Sequence, residues 1–339
     1  MRLIKTEDAV GHVLCHDMTQ IIKDQYKDAR FRKGHVVTEE DIPVLLSMGK
    51  EHLYVWEMTS GMVHENDAAE RLLALCGQEN MIRSGVKEGK IELKAACDGV
   101  FLVDSARLVA VNSQDEVMIA TRKGGMAVRE GDKLAGMRVI PLIIEEEKLR
   151  KAEQAAGDKP LLSLKPYVRK TACIVATGGE VKKGLIKDTF TPVVIDKLKT
   201  YGIETLEVVC SGDGVENVRD AVLAMREKKP DMILCTGGMS VDPDDNTPGG
   251  IKAAGANIIA YGAPVLPGAM FLLGYFDDGM PVMGLPGCVM YAGATVFDLV
   301  LPKIAADVPV TRADIAALGE GGLCLGCKPC HYPICPFGK

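Results

Sequence analysis

The second half of the chain repeats one pattern: a short apolar run, a glycine-rich turn and then an amphipathic segment. Apolar runs end in glycines at 171–179, 231–238 and 281–287. Strands that alternate with helices at this spacing form an open, mostly parallel sheet with helices on both faces. We therefore predict an α/β domain over residues 167–310. One predicted helix has its apolar face at Val215, Val218, Val222 and Met225.

The first half of the chain predicts smaller modules. AVGHVL and HLYVW have strand character, whereas EEDIPVLLSMG and HENDAAERLLALC are spaced for short helices. From Ile91 to Ile144, short alternating runs such as LVAVN indicate a small all-β module. The charged segment EEEKLRKAEQAAGDKP that follows is either a linker or a helix between domains. The predicted order is a mixed α/β module (1–85), a small β module (86–150), a linker (151–166), the α/β domain (167–310) and a cysteine-rich tail (311–339).

Composition and charge narrow the class of protein. The 339 residues are 47% hydrophobic and 25% charged, which is typical of a folded globular protein. The formal net charge of −6 argues against nucleic-acid or membrane-surface binding, because both need a basic footprint. No window approaches the roughly 18 apolar residues of a membrane span, and the N-terminus does not resemble a signal peptide. Cysteines scattered through apolar runs then predict a reducing, cytoplasmic compartment.

The glycine-rich turns are the best candidates for a ligand site. Ligands of open parallel sheets bind at the carboxyl ends of the strands, where glycine lets the backbone approach an anion and helix starts offer amide donors. One such turn is ordinarily only a tight turn, but three at successive strand ends favour a ligand site. None has the spacing of the dinucleotide or P-loop motifs. The predicted binding residues are Thr177, Gly178, Gly179, Glu180, Thr236, Gly237, Gly238, Ser240, Pro286 and Gly287.

Acidic residues lie beside two of the turns. Asp188 follows the first turn, and Asp242, Asp244 and Asp245 follow the second. Clustered carboxylates repel one another unless a cation or proton lies between them, and Mg²⁺ that bridges to a substrate phosphate would suit them. The alternative is a solvated loop in which an aspartate caps the following helix. For the cluster next to Ser240, the sequence favours a functional role.

The stretch at about 170–306 resembles the molybdopterin-binding domain, which is shared by molybdopterin adenylyltransferases, molybdopterin molybdenumtransferases and the competence-damage-inducible family. The motifs are TGGE, GLIKDT, CTGGMSVDPDD and VMGLPG, of which the third is the most specific. The resemblance implies that Asp188 and Asp245 match the family's functional, catalytic aspartates. It also implies a reaction in which molybdate is inserted into adenylylated molybdopterin and AMP is released, with a divalent cation such as Mg²⁺.

The same resemblance implies how the pterin would be held. Gly237, Gly238 and Ser240 would bind its terminal phosphate, and Asp242 would lie beside them. Two further turns are similar to those of the molybdenumtransferases, namely the Lys-Pro-Gly turn at Leu266-Pro267-Gly268 and the Leu-Pro-Gly-Asn-Pro turn at Pro286-Gly287.

Five positions in four motifs depart from the family pattern. Gly179 stands where the family usually has Asp or Asn, Phe190 where Asn often occurs, and Leu266 where the family has Lys. Cys288-Val289 replaces Asn-Pro. Each departure removes a polar group that could contact the ligand or molybdate.

The tail contains four cysteines with the spacing C-x2-C-x2-C-x4-C, at Cys324, Cys327, Cys330 and Cys335. Thiolates this close together predict a metal, either Zn²⁺ or an iron–sulfur cluster. The bacterial ferredoxin run is one residue shorter between its last two cysteines, and His331 is a substitute ligand for Zn²⁺. The alternatives are a terminal peptide with free thiols, or a tail that transfers molybdenum or sulfur. The last alternative requires the tail to reach the glycine turns.

Two functions are consistent with these observations. The first is an enzyme of molybdenum cofactor synthesis that is similar to the molybdenumtransferases, and the retained Asp188 and Asp245 favour it. The second is a non-catalytic carrier or sensor of molybdopterin or its molybdenum form, whose metal-bearing tail docks a partner, and the altered turns favour it. The resemblance implies a homodimer, with a molybdoenzyme or another cofactor-synthesis protein as partner.

Overall fold

The computed structural model describes residues 2–22, 26–55, 61–179, 187–240, 242 and 245–339. The chain divides into two compact units, and each is described by itself. The first unit comprises Met1–Ala96, Val103–Gly124 and Gly131–Ser163. The second comprises Cys97–Leu102, Gly125–Glu130 and Leu164–Lys339. The segment predicted as one β module at 86–150 is thus divided between the two units.

The elements up to Pro166 are short. Their strands are β1 (Arg2–Lys5), β2 (Met18–Ile22), β3 (Tyr26–Phe31), β4 (His52–Val55), β5 (Met62–His64), β6 (Met81–Arg83), β7 (Ile91–Ala95), β8 (Gly99–Val103), β9 (Val117–Thr121), β10 (Met126–Val128), β11 (Lys133–Val139), β12 (Ile143–Glu145) and β13 (Leu162–Pro166). Their helices are α1 (Asp41–Ser47), α2 (Glu65–Leu75), α3 (Ser105–Asn112) and α4 (Glu146–Ala156).

These strands form several small sheets. β6, β7, β11 and β9 make an antiparallel sheet in that order, and β10, β8 and β13 make a second sheet. Three antiparallel pairs complete the set, namely β1 with β4, β2 with β3, and β5 with β12. The two helices predicted from EEDIPVLLSMG and HENDAAERLLALC are confirmed as α1 and α2. His64 caps α2, because its Nδ1 accepts a hydrogen bond from the Asn66 amide at 3.1 Å.

Two predictions for this region are wrong. LVAVN lies in helix α3 and is not a strand, because Asp104 caps the helix by accepting a hydrogen bond from the Arg107 amide at 3.1 Å. AVGHVL forms only isolated bridges at Val13 and Leu14 and no strand. The charged segment, whose structure the sequence left open, forms helix α4. Its residues Leu149, Ala152 and Ala156 are buried on one face, and the helix ends at a glycine.

The α/β fold predicted for the second half is confirmed by a six-stranded sheet with the order β15-β14-β16-β19-β18-β17. The first four strands in this order are parallel, and β18 and β17 are antiparallel to their neighbours. The strands are β14 (Thr171–Thr177), β15 (Glu204–Ser211), β16 (Met232–Thr236), β17 (Asn257–Tyr261), β18 (Leu272–Tyr275) and β19 (Pro281–Leu285). The helices are α5 (Phe190–Lys199), α6 (Val215–Glu227), α7 (Thr247–Ala253), α8 (Val296–Ala305) and α9 (Arg312–Ala317).

Helices cover both faces of this sheet. Ile174 of β14 packs into a core cluster with residues of α5 and α8, whereas Cys173 and Val175 pack into the opposite cluster with residues of α6 and α7. Strands buried on both faces explain why the apolar runs are continuous and do not alternate with polar residues. The predicted face of α6 is buried at Val218, Val222 and Met225. Each fully buried side chain of this size contributes about 1.5–3 kcal/mol.

Among the described residues, no helix has both the length and the apolar character that a membrane crossing requires.

The start of α8 offers a test of the fold. Thr295 is fully buried and forms a capping box with Asp298, in which its hydroxyl accepts a hydrogen bond from the Phe297 amide at 3.2 Å. Because Thr295→Ala leaves helix-start amides without an acceptor, we expect the free energy of unfolding to fall by about 0.5–2 kcal/mol in urea denaturation. Thr200→Ala is the control, since this exposed hydroxyl donates to the Lys197 carbonyl and accepts no helix-start amide, and its change should stay within about 0.5 kcal/mol. Equal losses in the two variants would contradict the capping role.

Candidate functional site

The first two glycine turns are joined by threonine hydroxyls. Thr177, the last residue of β14, donates a hydrogen bond from Oγ1 to the Thr236 carbonyl of β16 at 2.9 Å. The hydroxyl of Thr247, at the start of α7, lies 3.1 Å from Thr177 Oγ1 and donates to the Gly237 carbonyl at 3.0 Å. The two strand ends and the following helix are therefore one connected unit. The sequence did not indicate Thr247, and Thr236, predicted as a hydroxyl donor, is itself buried.

Glycine is required at the second turn for two reasons. Gly237 and Gly238 have φ angles of +82° and +58°, a region that L-residues with side chains rarely adopt. A Cβ at Gly237 would lie 2.5 Å from the Thr177 carbonyl oxygen, and a Cβ at Gly238 would lie 2.5 Å from Thr247 Oγ1. The turn is thus a tight turn and also a point of close backbone approach between β14 and β16.

Asp213 occupies the first turn, and sequence reasoning missed it. Its carboxylate accepts the Gly179 amide at 3.0 Å and 3.1 Å from its two oxygens. A Cβ at residue 179 would overlap Asp213 Oδ2, so the carboxylate fills the volume of a side chain that Gly179 lacks. A negative group therefore already sits on an amide that the sequence predicted as a phosphate donor. The available signal was the Gly-Asp-Gly sequence at 212–214, directly after the strand β15.

Asp188 caps the helix α5. Its Oδ1 accepts hydrogen bonds from the Phe190 amide at 2.9 Å and the Thr191 amide at 3.0 Å, and the Thr191 hydroxyl donates to Oδ2. The adjacent Thr189 hydroxyl contacts Met290 Sδ at 3.1 Å. Met290 ends the 3₁₀ helix that follows the third glycine turn. Asp188 is thus placed beside the third turn, with its carboxylate engaged by backbone amides.

Asp245 has a similar arrangement at the second turn. Its Oδ2 accepts the Ser240 amide at 2.7 Å, and its own amide donates to the Asp242 carbonyl at 2.9 Å. Asp242 is exposed. Asp245 is thus bonded to the end of the second turn, and the functional role predicted for the acidic cluster stays a prediction. Glu180 and Asp244, which the sequence also singled out, lie outside the described residues.

The remaining turns lie around the start of α8. The Pro267 carbonyl accepts the Val296 amide at 3.3 Å, and a Cβ at Gly268 would lie 2.6 Å from Val296 Cγ1. Gly287 has open space around it, and the Pro286 carbonyl accepts the Val289 amide at 3.0 Å.

Metal ligands do not converge in the part of the chain that the structure describes. There, no group of three or more His, Cys, Asp and Glu side chains is placed to hold a metal ion. The four tail cysteines are free thiols. Cys324 and Cys335 are half-buried, whereas Cys327 and Cys330 are exposed. The metal sites predicted in the tail and in the acidic loop are therefore not preformed by the side chains that the structure describes.

Comparison with known protein families gives a match to the segment that forms most of the six-stranded sheet. Residues 173–306 match the family model described as "Probable molybdopterin binding domain". This segment belongs to that family of domains. Residues 3–57 match the model of a domain of unknown function.

Relatives of the molybdopterin-binding domain match over part of their length. A CinA-like protein of Desulfosudis oleivorans is 35% identical over 81 residues, which are 24% of this chain and 19% of that protein. A CinA-like protein of Mycobacterium tuberculosis is 33% identical over 76 residues, or 22% of this chain and 18% of that protein. The chain thus matches about a fifth of the length of these relatives.

Among solved structures, the molybdopterin biosynthesis enzyme MoaB of Thermus thermophilus covers 41% of this chain and 98% of its own, with 17% identity and a TM-score of 0.35. The protein CinA of Thermoplasma acidophilum, whose function is given as unknown, covers 40% and 98%, with 18% identity and a TM-score of 0.34.

The close approach at Gly237 generates a prediction. Gly237→Ala should destabilise the molybdopterin-binding domain more than Gly255→Ala, because both residues have positive φ but only Gly237 has a neighbouring atom in the way. Positive φ alone costs roughly 1–2 kcal/mol, and the overlap with the Thr177 carbonyl adds to it. Urea denaturation of both variants measures the difference. Equal destabilisation would show that the two strand ends are not packed against each other at this point.

Proposed function

We propose that this protein acts in molybdenum cofactor biosynthesis and binds molybdopterin, or its adenylylated form, at the glycine turns. The terminal phosphate would lie on the backbone of Gly237 and Gly238, with the Ser240 hydroxyl as a further donor. The match of residues 173–306 to the domain family supports the proposal. The observation that carries it is the hydroxyl linkage of Thr177 and Thr247, which holds two turns together at the carboxyl edge of a parallel sheet.

The proposed reaction is insertion of molybdate into adenylylated molybdopterin with cleavage of the phosphoanhydride and release of AMP. Asp242 and Asp245 would hold Mg²⁺ together with phosphate oxygens, and the Ser240 amide, which donates to Asp245 Oδ2 at 2.7 Å, would fix that carboxylate at the second turn. The ion would neutralise charge on the phosphoanhydride. Asp188 would position the start of α5 and the third turn beside the ligand.

A second candidate is a carrier or sensor that binds the pterin without catalysis. One observation favours it: both Asp188 and Asp245 accept backbone amides, which is what aspartates that only shape the binding turns would do. In this case the tail would dock a partner such as a molybdoenzyme. Under either candidate, a cytoplasmic location and a homodimer remain part of the proposal.

The two candidates are separated by AMP release from adenylylated molybdopterin with molybdate and Mg²⁺. Asp245→Asn keeps an oxygen that accepts the Ser240 amide but removes the charge. If Asp245 holds the cation, we expect molybdate-dependent release in the native chain and a fall of about 10²-fold or more in Asp245→Asn. Asp196→Asn is the control, because this carboxylate is exposed and pairs with Lys199 of its own helix.

Three results are informative in this assay. Release that is unchanged in Asp245→Asn would assign the carboxylate to shaping the turn. Tight pterin binding without any release would establish the carrier. Absence of both binding and release would overturn the pterin assignment.

Asp213 offers a separate prediction for binding. Asp213→Ala removes the acceptor of the Gly179 amide, so the first turn should lose its fixed position and pterin affinity should fall. Asp213→Asn retains an acceptor oxygen and should bind more tightly than the alanine variant. Quenching of pterin fluorescence under anaerobic conditions gives the affinities, with Asp220→Ala as the control on the exposed surface of α6. Equal affinities for Asp213→Ala and the native chain would remove Asp213 from the site.

A further inference from the structure

Residues 320–339, termed here the cysteine loop, are fixed on the domain at their first arm. The Leu266 amide donates to the Gly322 carbonyl at 2.8 Å, and the Cys324 amide donates back to the Leu266 carbonyl at 2.8 Å. Leu266 and Leu323 form a parallel bridge. This arm therefore adds a strand-like contact directly before the Pro267-Gly268 turn.

The second arm of the cysteine loop is anchored by aromatic residues. Phe337 is 2% exposed and belongs to the core cluster of the domain, and the Tyr332 hydroxyl donates to the Asp298 carbonyl of α8 at 3.0 Å. The Gly338 amide donates to the Gly321 carbonyl at 2.9 Å, which closes the loop at its base. A terminal peptide with no structural role would not bury an aromatic ring in this way, since ordering its residues costs conformational entropy.

Between the arms lies an exposed crown at 325–331. The crown carries Cys327 and Cys330, whereas Cys324 and Cys335 lie on the arms and pack against the core cluster. Cys330 lies over Gly293, where an added Cβ would be 2.8 Å from its sulfur. Gly293 belongs to the segment between the third glycine turn and α8. The cysteine loop thus pairs with one predicted pterin-binding turn, at Leu266, and contacts the segment that follows the third turn, at Gly293.

We propose that the cysteine loop is a thiolate site for a thiophilic metal centre, Zn²⁺ or an iron–sulfur cluster, held at the rim of the pterin-binding turns. The four thiols occur within one short closed loop and are free of disulfides, which is the donor set that such centres prefer. The arms hold two donors in place. Because no three of the described His, Cys, Asp and Glu side chains converge, the proposal requires the crown to close until Cys327 and Cys330 approach Cys324 and Cys335, with Cys330 still beside Gly293. This inference does not depend on pterin binding.

The metal content of the full-length chain tests this proposal. The chain is purified without oxygen and assayed for zinc, iron and acid-labile sulfide. We expect a bound centre in the native chain, its loss in the double variant Cys327→Ser/Cys330→Ser, and full retention in Cys210→Ser, an exposed thiol on β15. Zinc alone identifies a zinc site, and iron with sulfide identifies a cluster.

Two results would overturn the proposal. The native chain could hold neither zinc nor iron after reconstitution with each metal, or the double variant could keep its full metal content. Because both substituted cysteines are exposed, the thermal unfolding transition of the double variant should match that of the native chain without metal, so that loss of metal is not loss of fold.

The place of the centre is tested without changing a ligand. Gly293→Val puts a side chain where Cys330 lies, and we expect the metal affinity to fall about tenfold in competition with a chelator. Gly85→Val is the control, because that glycine has open space and an ordinary φ. An unchanged affinity in Gly293→Val would show that the centre does not form beside the third turn. Pterin binding is measured separately, so an absence of pterin binding would not change the interpretation of the metal affinity.

Discussion

The burial of parallel strands on both faces is the constraint on which the site depends. β14, β16 and β19 have helices above and below them, so their side chains are committed to the two cores and only their ends are available for polar contacts. The hydroxyls of Thr177 and Thr247 use that edge to join two strand ends. Backbone groups at an edge without such partners would lose hydrogen bonds, at about 1–3 kcal/mol for each group buried without a partner.

The carboxylates at this edge of the sheet stabilise the turns, in addition to any role in binding or catalysis. Asp188, Asp213 and Asp245 each accept backbone amides. A carboxylate on a turn also repels an approaching phosphate. The same carboxylates therefore stabilise the turns and oppose the binding of an anion there. A cation beside Asp242 and Asp245 would relieve the repulsion, and this is the physical link between the acidic loop and the proposed phosphate site.

The cysteine loop brings thiol groups close to the same edge of the sheet. Its arms use ordinary means, a strand-like pairing at Leu266 and the burial of Phe337, whereas its crown leaves Cys327 and Cys330 in solvent. Leu266 also stands where the related molybdenumtransferases have Lys, as the resemblance implies. The pairing uses the backbone amide and carbonyl of Leu266, and the Leu266 side chain is exposed, so the pairing does not itself require an apolar residue at this position.

The sequence by itself determined the α/β fold of the second half, because continuous apolar runs that end in glycine leave few alternatives to a buried parallel sheet. It also indicated the turns and the acidic loop, since glycine spacing and charge are local properties. Tertiary structure decided which groups meet. Asp213 and Thr247 are far from their partners in sequence, and no local pattern assigns them. LVAVN became a helix because the cap at Asp104 outweighed its β-branched composition, and the four cysteines were separated because arms and crown make different contacts. The contacts of Asp213 and Thr247 and the placement of the cysteines depend on residues distant in sequence, which sequence periodicity does not contain, whereas the cap at Asp104 is a local contact.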